Sequence, residues 1–199
     1  AHDGGLYVPV EFPKIDIHES GLLDLDYKAF ALKILKLYLT DFEEAEIADC
    51  IEKAYDSKFE AEEIVPIKHV SDCGFIELYH GSTLAFKDMA LSILPHFLKK
   101  SAEKQGLKED VVILAATSGD TGKAALEGFC DVEGTKIIVF YPTTGISEIQ
   151  KRQMTTQVGD NTYVYGINGN FDDAQRGVKS IFANKDFNEE LKESGFVFS

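Results

Sequence analysis

The sequence lacks several features that would decide its class at once. No apolar run is long enough to cross a membrane, and the first residues do not show the basic and then apolar order of a secretion signal. It has no GxGxxG fingerprint, and the stretch around Lys123 lacks the first glycine and the final hydroxyl of a phosphate-binding P-loop. We therefore expect a globular chain that is neither a membrane span nor a typical nucleotide-binding protein.

Cysteine and positive charge are also scarce. Cys50, Cys73 and Cys130 form no CxxC pair and leave one thiol over in any disulfide scheme, which indicates reduced thiols in a cytoplasmic protein. The formal net charge is -14, which argues against nucleic acid or an anionic membrane as a partner, since both bind basic surfaces. We also predict no metal site.

What the chain does contain is enough apolar material for a sizeable core, with 44% hydrophobic residues among 199. The first part has helical periodicity. Asp26 is predicted to cap a helix over 27–39, and Thr40 to Glu43 has the spacing of a capping box before a helix that runs toward Tyr55. We expect a helical N-terminal domain over residues 1–75.

From about residue 64 the pattern becomes an alternation of strands and helices. The predicted strands are 64–70, 75–79, 111–116, 136–141 and 161–167, and the predicted helices are 83–105, 121–130, 147–157 and 172–183. Such alternation is typical of an α/β fold, with a mostly parallel sheet covered by helices and ligands at the carboxyl ends of its strands. We assign residues 76–199 to this second domain.

Lys87 is the first candidate for chemistry. It follows a turn with two hydroxyls and stands in the first turn of a predicted helix, where the partial positive charge should lower its pKa. A lysine with a lowered pKa is a plausible imine former, Phe86 can pack beside a flat ring, and Ser82 and Thr83 can donate to an anion. The alternative is an ordinary surface lysine.

A second turn, Ser118-Gly119-Asp120-Thr121-Gly122, lies between a buried strand and a helix. Its two glycines allow tight backbone geometry, and its hydroxyl and N–H groups can hold an anion at the helix start. The alternative is a simple helix cap in which Asp120 accepts from nearby N–H groups.

Several strings together resemble the threonine synthase family of pyridoxal-phosphate enzymes. The two turns are carried by ELYHGSTLAFKD (77–88) and ATSGDTG (116–122). Three further blocks agree in order: DGGLYVP (3–9), SEIQKRQMTT (147–156) and GNFDD (169–173). The resemblance runs through nearly the whole chain and implies the tryptophan synthase β-like fold, known as fold type II.

The resemblance also implies an activity and a set of roles. Lys87 matches the lysine that holds pyridoxal 5'-phosphate covalently, and the Asp120 turn matches the loop that lies against the cofactor ring and the substrate carboxylate. The family converts O-phospho-L-homoserine and water to L-threonine and phosphate, a lyase reaction of threonine biosynthesis. Lys151 and Arg152 are candidates for the substrate phosphate, or else exposed charges on a helix.

Two features of the chain depart from the family pattern, one in the turn before Lys87 and one in its length. Ser82 stands where the family motif has proline, which affects turn rigidity rather than chemistry. Family members continue well beyond the counterpart of Ser199, so we expect 76–199 to be the first part of the cofactor domain and the 199-residue chain alone to be inactive. Two alternatives stay open: another fold type II lyase, such as a threonine or serine dehydratase or a sulfhydrylase-like enzyme, and a non-catalytic relative that acts as a binding module.

Overall fold

A computed structural model describes residues 5–16, 18 and 21–199 of the chain. Its elements in chain order are α1 (Tyr27–Lys36), α2 (Glu44–Ala54), β1 (Ile67–Val70), β2 (Cys73–Ile76), α3 (Asp88–Leu91), α4 (Leu94–Lys104), β3 (Asp110–Ala116), α5 (Asp120–Phe129), β4 (Thr135–Pro142), α6 (Glu148–Thr155), β5 (Thr162–Ile167), α7 (Phe171–Ala183), α8 (Lys185–Glu193) and β6 (Phe196–Phe198). A short 3-10 turn, Leu22–Asp24, precedes α1. The first two residues of the block DGGLYVP (3–9), on which the resemblance partly rests, lie outside the described residues.

The N-terminal helices form as the sequence predicts, with one correction. Asp26 accepts the Ala29 N–H at 2.8 Å, which confirms it as the cap of α1. The capping box at Thr40 is wrong, because Glu43 and Glu46 cap each other's backbone N–H at the start of α2. The helix starts later because residues 37–42 are turns that carry Phe42 edge-on against the Phe97 ring, with centroids 5.7 Å apart.

A first hydrophobic core lies between α1, α2 and the segment after the hairpin. Ile47, Ile51 and Ala54 of α2 are almost completely buried, and Ile93 packs against them from just before α4. The periodicity of α2 therefore buries one stripe, as its sequence indicates. Because Ile93 belongs to this core, packing crosses the predicted boundary after residue 75, and the division into two domains stays a prediction.

The second core is built on a four-stranded parallel sheet in the order β5-β4-β3-β6. Ile137 and Val139 of β4 are fully buried on the face that packs against Leu126 and Phe129 of α5. Helix α7 lies on β3 and β4, and α8 on β6. This architecture confirms the predicted α/β fold with a parallel sheet; α8 and β6 were not predicted.

Strands β1 and β2 form a separate antiparallel hairpin whose residues are all exposed. Within the described part of the chain, no helix is long and apolar enough to cross a membrane.

The predicted helix over 83–105 is wrong as a single element. Residues 82–87 are turns, with Leu84 at φ 58°, and the helical stretches are the short α3 and the longer α4. Two local causes explain the break. The Asp88 carboxylate ties back to Thr83, and Pro95 at the start of α4 has no N–H to donate to the preceding turn.

Candidate active site

The candidate site lies at the carboxyl end of β3. Strand β3 has β4 on one side and β6 on the other, so the connections diverge from it and leave a crevice where ligands bind in open parallel sheets. A cavity of about 360 Å³ opens there. Its lining consists of Lys87, Ala116, Thr117, Ser118, Gly119, Asp120, Thr121, Gln150 and Phe171. The structure thus brings the two predicted turns to one cavity.

Residues 81–88, which we name the first wall, present Lys87. Asp88 is only 3% exposed, and its carboxylate accepts the Thr83 N–H at 2.8 Å and the Thr83 hydroxyl at 2.5 Å. Gly81 packs against it so closely that an added Cβ would lie 2.6 Å from the Asp88 Cβ. These contacts fold the turn ahead of Lys87, and the Lys87 carbonyl then accepts the Leu91 N–H of α3 at 3.0 Å.

Lys87 itself is half-buried and lines the cavity, and its amine has no counterion among the described residues. Its Nζ lies 4.6 Å from the centre of the Phe86 ring, and no carboxylate of the described residues forms an ion pair with it. The Phe86 ring is 58% exposed and does not line the cavity. The lysine is therefore accessible to a ligand, and its aromatic neighbour stands outside.

Residues 117–122, which we name the second wall, form the loop into α5. Thr117 is buried, and its hydroxyl oxygen accepts the N–H groups of Gly119 at 3.1 Å and Gly122 at 2.9 Å. A Cβ on Gly122 would collide with the Thr117 side chain, lying 2.9 Å from its Cβ. This close packing requires glycine at 122 and fixes the loop without any charged group.

Asp120 does not cap α5, contrary to the alternative considered from the sequence. Its carboxylate accepts a hydrogen bond from the Gln150 amide, Nε2 to Oδ1, at 2.9 Å. Asp120 and Thr121 are the first two residues of α5, so their N–H groups have no acceptor within the helix. A helix start of this kind is partially positive and attracts an anion.

Gln150 and Phe171 are cavity residues that the sequence analysis missed. Gln150 is in the first turn of α6 and Phe171 is the first residue of α7. Both belong to blocks on which the family resemblance rests, 147–156 and 169–173, so that signal was available, but no role was attached to it. Since α6 follows β4 and α7 follows β5, their starts lie at the same sheet edge as the loop after β3.

The predicted substrate groups are placed less directly. Lys151 and Arg152 do not line the cavity, and the Arg152 side chain is 75% exposed and lies 3.2 Å from the Glu148 carboxylate on its own helix. Ser82 is exposed, and the Thr83 hydroxyl is engaged with Asp88. Their roles in substrate binding stay predictions.

The architecture around this site defines the class of protein. Over 99% of its length this chain superposes on the structure of PLP-bound threonine synthase from Brucella melitensis, with a TM-score of 0.85 and 33% identity. The superposition covers 42% of the Brucella chain. Threonine synthase from Escherichia coli superposes over the whole chain with a TM-score of 0.80 and 29% identity, over 44% of its own length. The fold is that of fold type II pyridoxal-phosphate enzymes.

Within this class of enzymes, the sequence is similar to threonine synthases. The family model for the threonine synthase N terminus matches residues 1–55. Threonine synthase from Pseudomonas aeruginosa is 39% identical over 94% of this chain and 40% of its own length. Human threonine synthase-like 1 is 36% identical over 94% of this chain and 26% of its own length.

Over 94% of its length the chain is similar to threonine synthases and threonine synthase-like proteins. It spans about 40% of the length of the first curated threonine synthases that it matches.

Proposed function

We propose that the complete protein is a threonine synthase that uses pyridoxal 5'-phosphate on Lys87 to convert O-phospho-L-homoserine and water into L-threonine and phosphate. The observation that carries the proposal is the shared cavity: Lys87, whose amine has no carboxylate partner among the described residues, lines the same space as the start of α5. Support also comes from the relatives, which are named threonine synthase at up to 39% identity.

The residues present fit this cofactor. The Lys87 amine can bond the aldehyde carbon, and Phe171 lines the cavity together with the loop from Ser118 to Thr121, as an aromatic residue that can pack beside a flat ring. Phe86 is the other aromatic candidate. When bound, the cofactor withdraws electrons from the α-carbon of an amino-acid substrate.

The chain's own groups then have defined tasks. Lys87 Nζ holds the cofactor, and as a released amine it is placed to accept and return protons at the substrate carbons. The Asp120 and Thr121 N–H groups bind the substrate carboxylate at the positive end of α5. Lys151 and Arg152 are the candidates for the leaving phosphate, on the helix that brings Gln150 into the cavity.

Borohydride reduction of the complete protein with pyridoxal phosphate, followed by peptide mass mapping, tests the central assignment. We expect the cofactor mass on the peptide that contains Lys87. If it is found on another lysine, or on none, the assignment fails. Release of inorganic phosphate from O-phosphohomoserine with formation of threonine then separates a threonine synthase from a dehydratase, which would form a keto acid from threonine or serine.

The proposal also covers the compartment, the domains and the alternative functions. The three cysteines are free thiols, and Cys73 is exposed, which fits the cytoplasm as the compartment. We also propose that the chain divides into a domain over 1–75 and the first part of a cofactor domain over 76–199. A dehydratase, a sulfhydrylase-like enzyme and a non-catalytic relative are not favoured by the names of the relatives.

A further inference from the structure

Two linked hydrogen bonds between side chains at the cavity have no role in the proposed function. The Ser147 hydroxyl donates to Gln150 Oε1 at 3.0 Å, and Gln150 Nε2 donates to Asp120 Oδ1 at 2.9 Å. Ser147 Oγ also accepts the Gln150 backbone N–H at 3.2 Å, as the cap of α6. Because the Ser147 hydroxyl donates to the oxygen of the Gln150 amide, the nitrogen of that amide is directed at Asp120.

The contact between Gln150 and Asp120 depends on the absence of a side chain at Gly119. Gly119 lies directly beneath the Gln150 amide, and a Cβ at that position would lie 2.6 Å from Gln150 Cδ. Any side chain at 119 would push the amide away from Asp120. The glycine thus permits a bridge between the starts of α5 and α6, which follow the neighbouring strands β3 and β4.

The bridge changes what the start of α5 can bind. A carboxylate in the first turn of a helix is ordinarily drawn to the free N–H groups there. Here the bonds of the described residues leave Asp120 with Gln150 as its partner, while Thr117 accepts from Gly119 and Gly122. The Asp120 and Thr121 N–H groups therefore stay open at the cavity.

We propose that Gln150 is a positioning residue: its amide, oriented by Ser147, holds the Asp120 carboxylate off the start of α5 and keeps the first N–H groups of that helix open to a substrate carboxylate. The inference rests on the proposed function, because it assumes an amino-acid substrate in this cavity. It goes beyond it by assigning a group that touches neither the cofactor lysine nor the reacting carbons.

Gln150→Glu in the complete protein is the sharpest test. It replaces the donor with a carboxylate that faces Asp120, and the repelled Asp120 side chain then competes for the N–H groups. We expect KM for O-phosphohomoserine to rise about 10- to 100-fold, the factor that accompanies loss of a charge-assisted hydrogen bond. As the pH falls from about 8 to about 6, the two carboxyls can share a proton, and the KM defect should shrink.

Two further variants separate charge from hydrogen bonding. Gln150→Met removes the donor without adding a charge, so KM should rise and show no recovery at low pH. Gln153→Glu adds the same charge to α6 away from the cavity and should leave KM and its pH profile as in the wild type. Circular dichroism checks that each variant is folded.

A second readout needs neither cofactor nor substrate. In the cofactor-free protein, the backbone amide of Thr121 should shift in a ¹H–¹⁵N spectrum of Gln150→Glu and Gln150→Met, because the released Asp120 carboxylate moves toward it. Gln153→Glu should leave that amide unchanged. An unshifted Thr121 amide in both position-150 variants overturns the inference.

The outcomes also distinguish this inference from the proposed function. If the wild-type protein does not attach pyridoxal phosphate at Lys87, the proposed function fails, and the Thr121 amide still reports on Gln150. If attachment occurs at Lys87 but Gln150→Glu has the KM and pH profile of Gln153→Glu, the role of Gln150 fails alone.

Discussion

The two walls of the cavity are held by different means. In the first wall the turn before Lys87 depends on a buried carboxylate, Asp88, and the segment leading into it carries a second ionisable contact, His80 to Glu77 at 2.9 Å. In the second wall the loop depends on the Thr117 hydroxyl and on positions with no side chain. Charge organises the side that carries Lys87, and close neutral packing organises the side that is proposed to face an anion.

This difference has a physical logic. A carboxylate that accepts its hydrogen bonds behind the first wall can order the turn without entering the cavity. A comparable carboxylate used to cap α5 would compete with any anionic ligand for the same N–H groups. The second wall avoids this competition, since its hydroxyl is neutral and Gln150 holds its one acid, Asp120.

The largest effect is expected from Lys87→Arg, which removes the chemistry of the first wall and keeps its charge. Arginine cannot supply the amine, so threonine formation should fall by at least about 10²- to 10⁴-fold, the range for loss of a proton-transfer group. The cofactor mass should disappear from the corresponding peptide after borohydride reduction. Lys99→Arg, at a half-buried lysine that pairs with Glu133 and does not line the cavity, is the control; unchanged activity in Lys87→Arg would contradict the assignment.

Gly122→Ala tests the neutral packing of the second wall. The added methyl collides with Thr117, and we expect a loss of about 1–3 kcal/mol in the free energy of unfolding, measured by urea denaturation. Thr117→Ser removes the methyl that meets it and keeps the hydroxyl, so the double variant should recover part of the loss. A double variant no more stable than Gly122→Ala would show that the collision is not the cause.

Asp88→Asn tests the charged support of the first wall. The amide can accept only one of the two Thr83 bonds and must turn a donor toward the other, at a cost of about 1–3 kcal/mol in unfolding free energy. The exposed Asp186→Asn on α8 controls for the change of charge. Equal stability of the two variants would remove Asp88 from the description of this wall.

Glu77→Gln should have the smallest effect, a small loss of stability near neutral pH that disappears in acid. The bond to His80, and then that to Tyr79, lowers the Glu77 pKa from its usual value of 4.5. The folded state therefore binds fewer protons than the unfolded state, and this stability is present above that value and lost as the pH falls through the lowered pKa. Urea midpoints between about pH 3 and pH 5 should fall less steeply in the variant than in the wild type.

Much of the sheet domain can be predicted from sequence because its signals are local. Strands β3 and β4 are apolar runs that end at turn residues. Helices α5 and α7 each have apolar residues at helical spacing. The site could be predicted as two turns, since Lys87 and the Asp120 loop each lie in a short, recognisable string. Their meeting at one cavity follows from the packing of α3, which begins directly after Lys87, against α5, which begins with Asp120.

The remainder depends on contacts that the sequence pattern does not display. The break in the helix after Thr83 requires the buried Asp88 and the positive φ of Leu84, in a stretch whose composition favours helix. Gln150 reaches Asp120 only because α5 and α6 start side by side at the sheet edge. Strand β6 has three residues, too few for a periodicity to be recognised.

The place of β6 in the sheet also sets an order of events in folding. Its residues pair with the first half of β3, as Asp110 with Phe196 and Val112 with Phe198, across all the elements from α5 to α8. Closing so long a loop is entropically costly, and contacts between distant residues slow folding. During synthesis the second edge of β3 stays uncovered until Phe198 has been made, so the strand that leads into the loop over 117–122 is completed only after the elements from α5 to α8 have been synthesised.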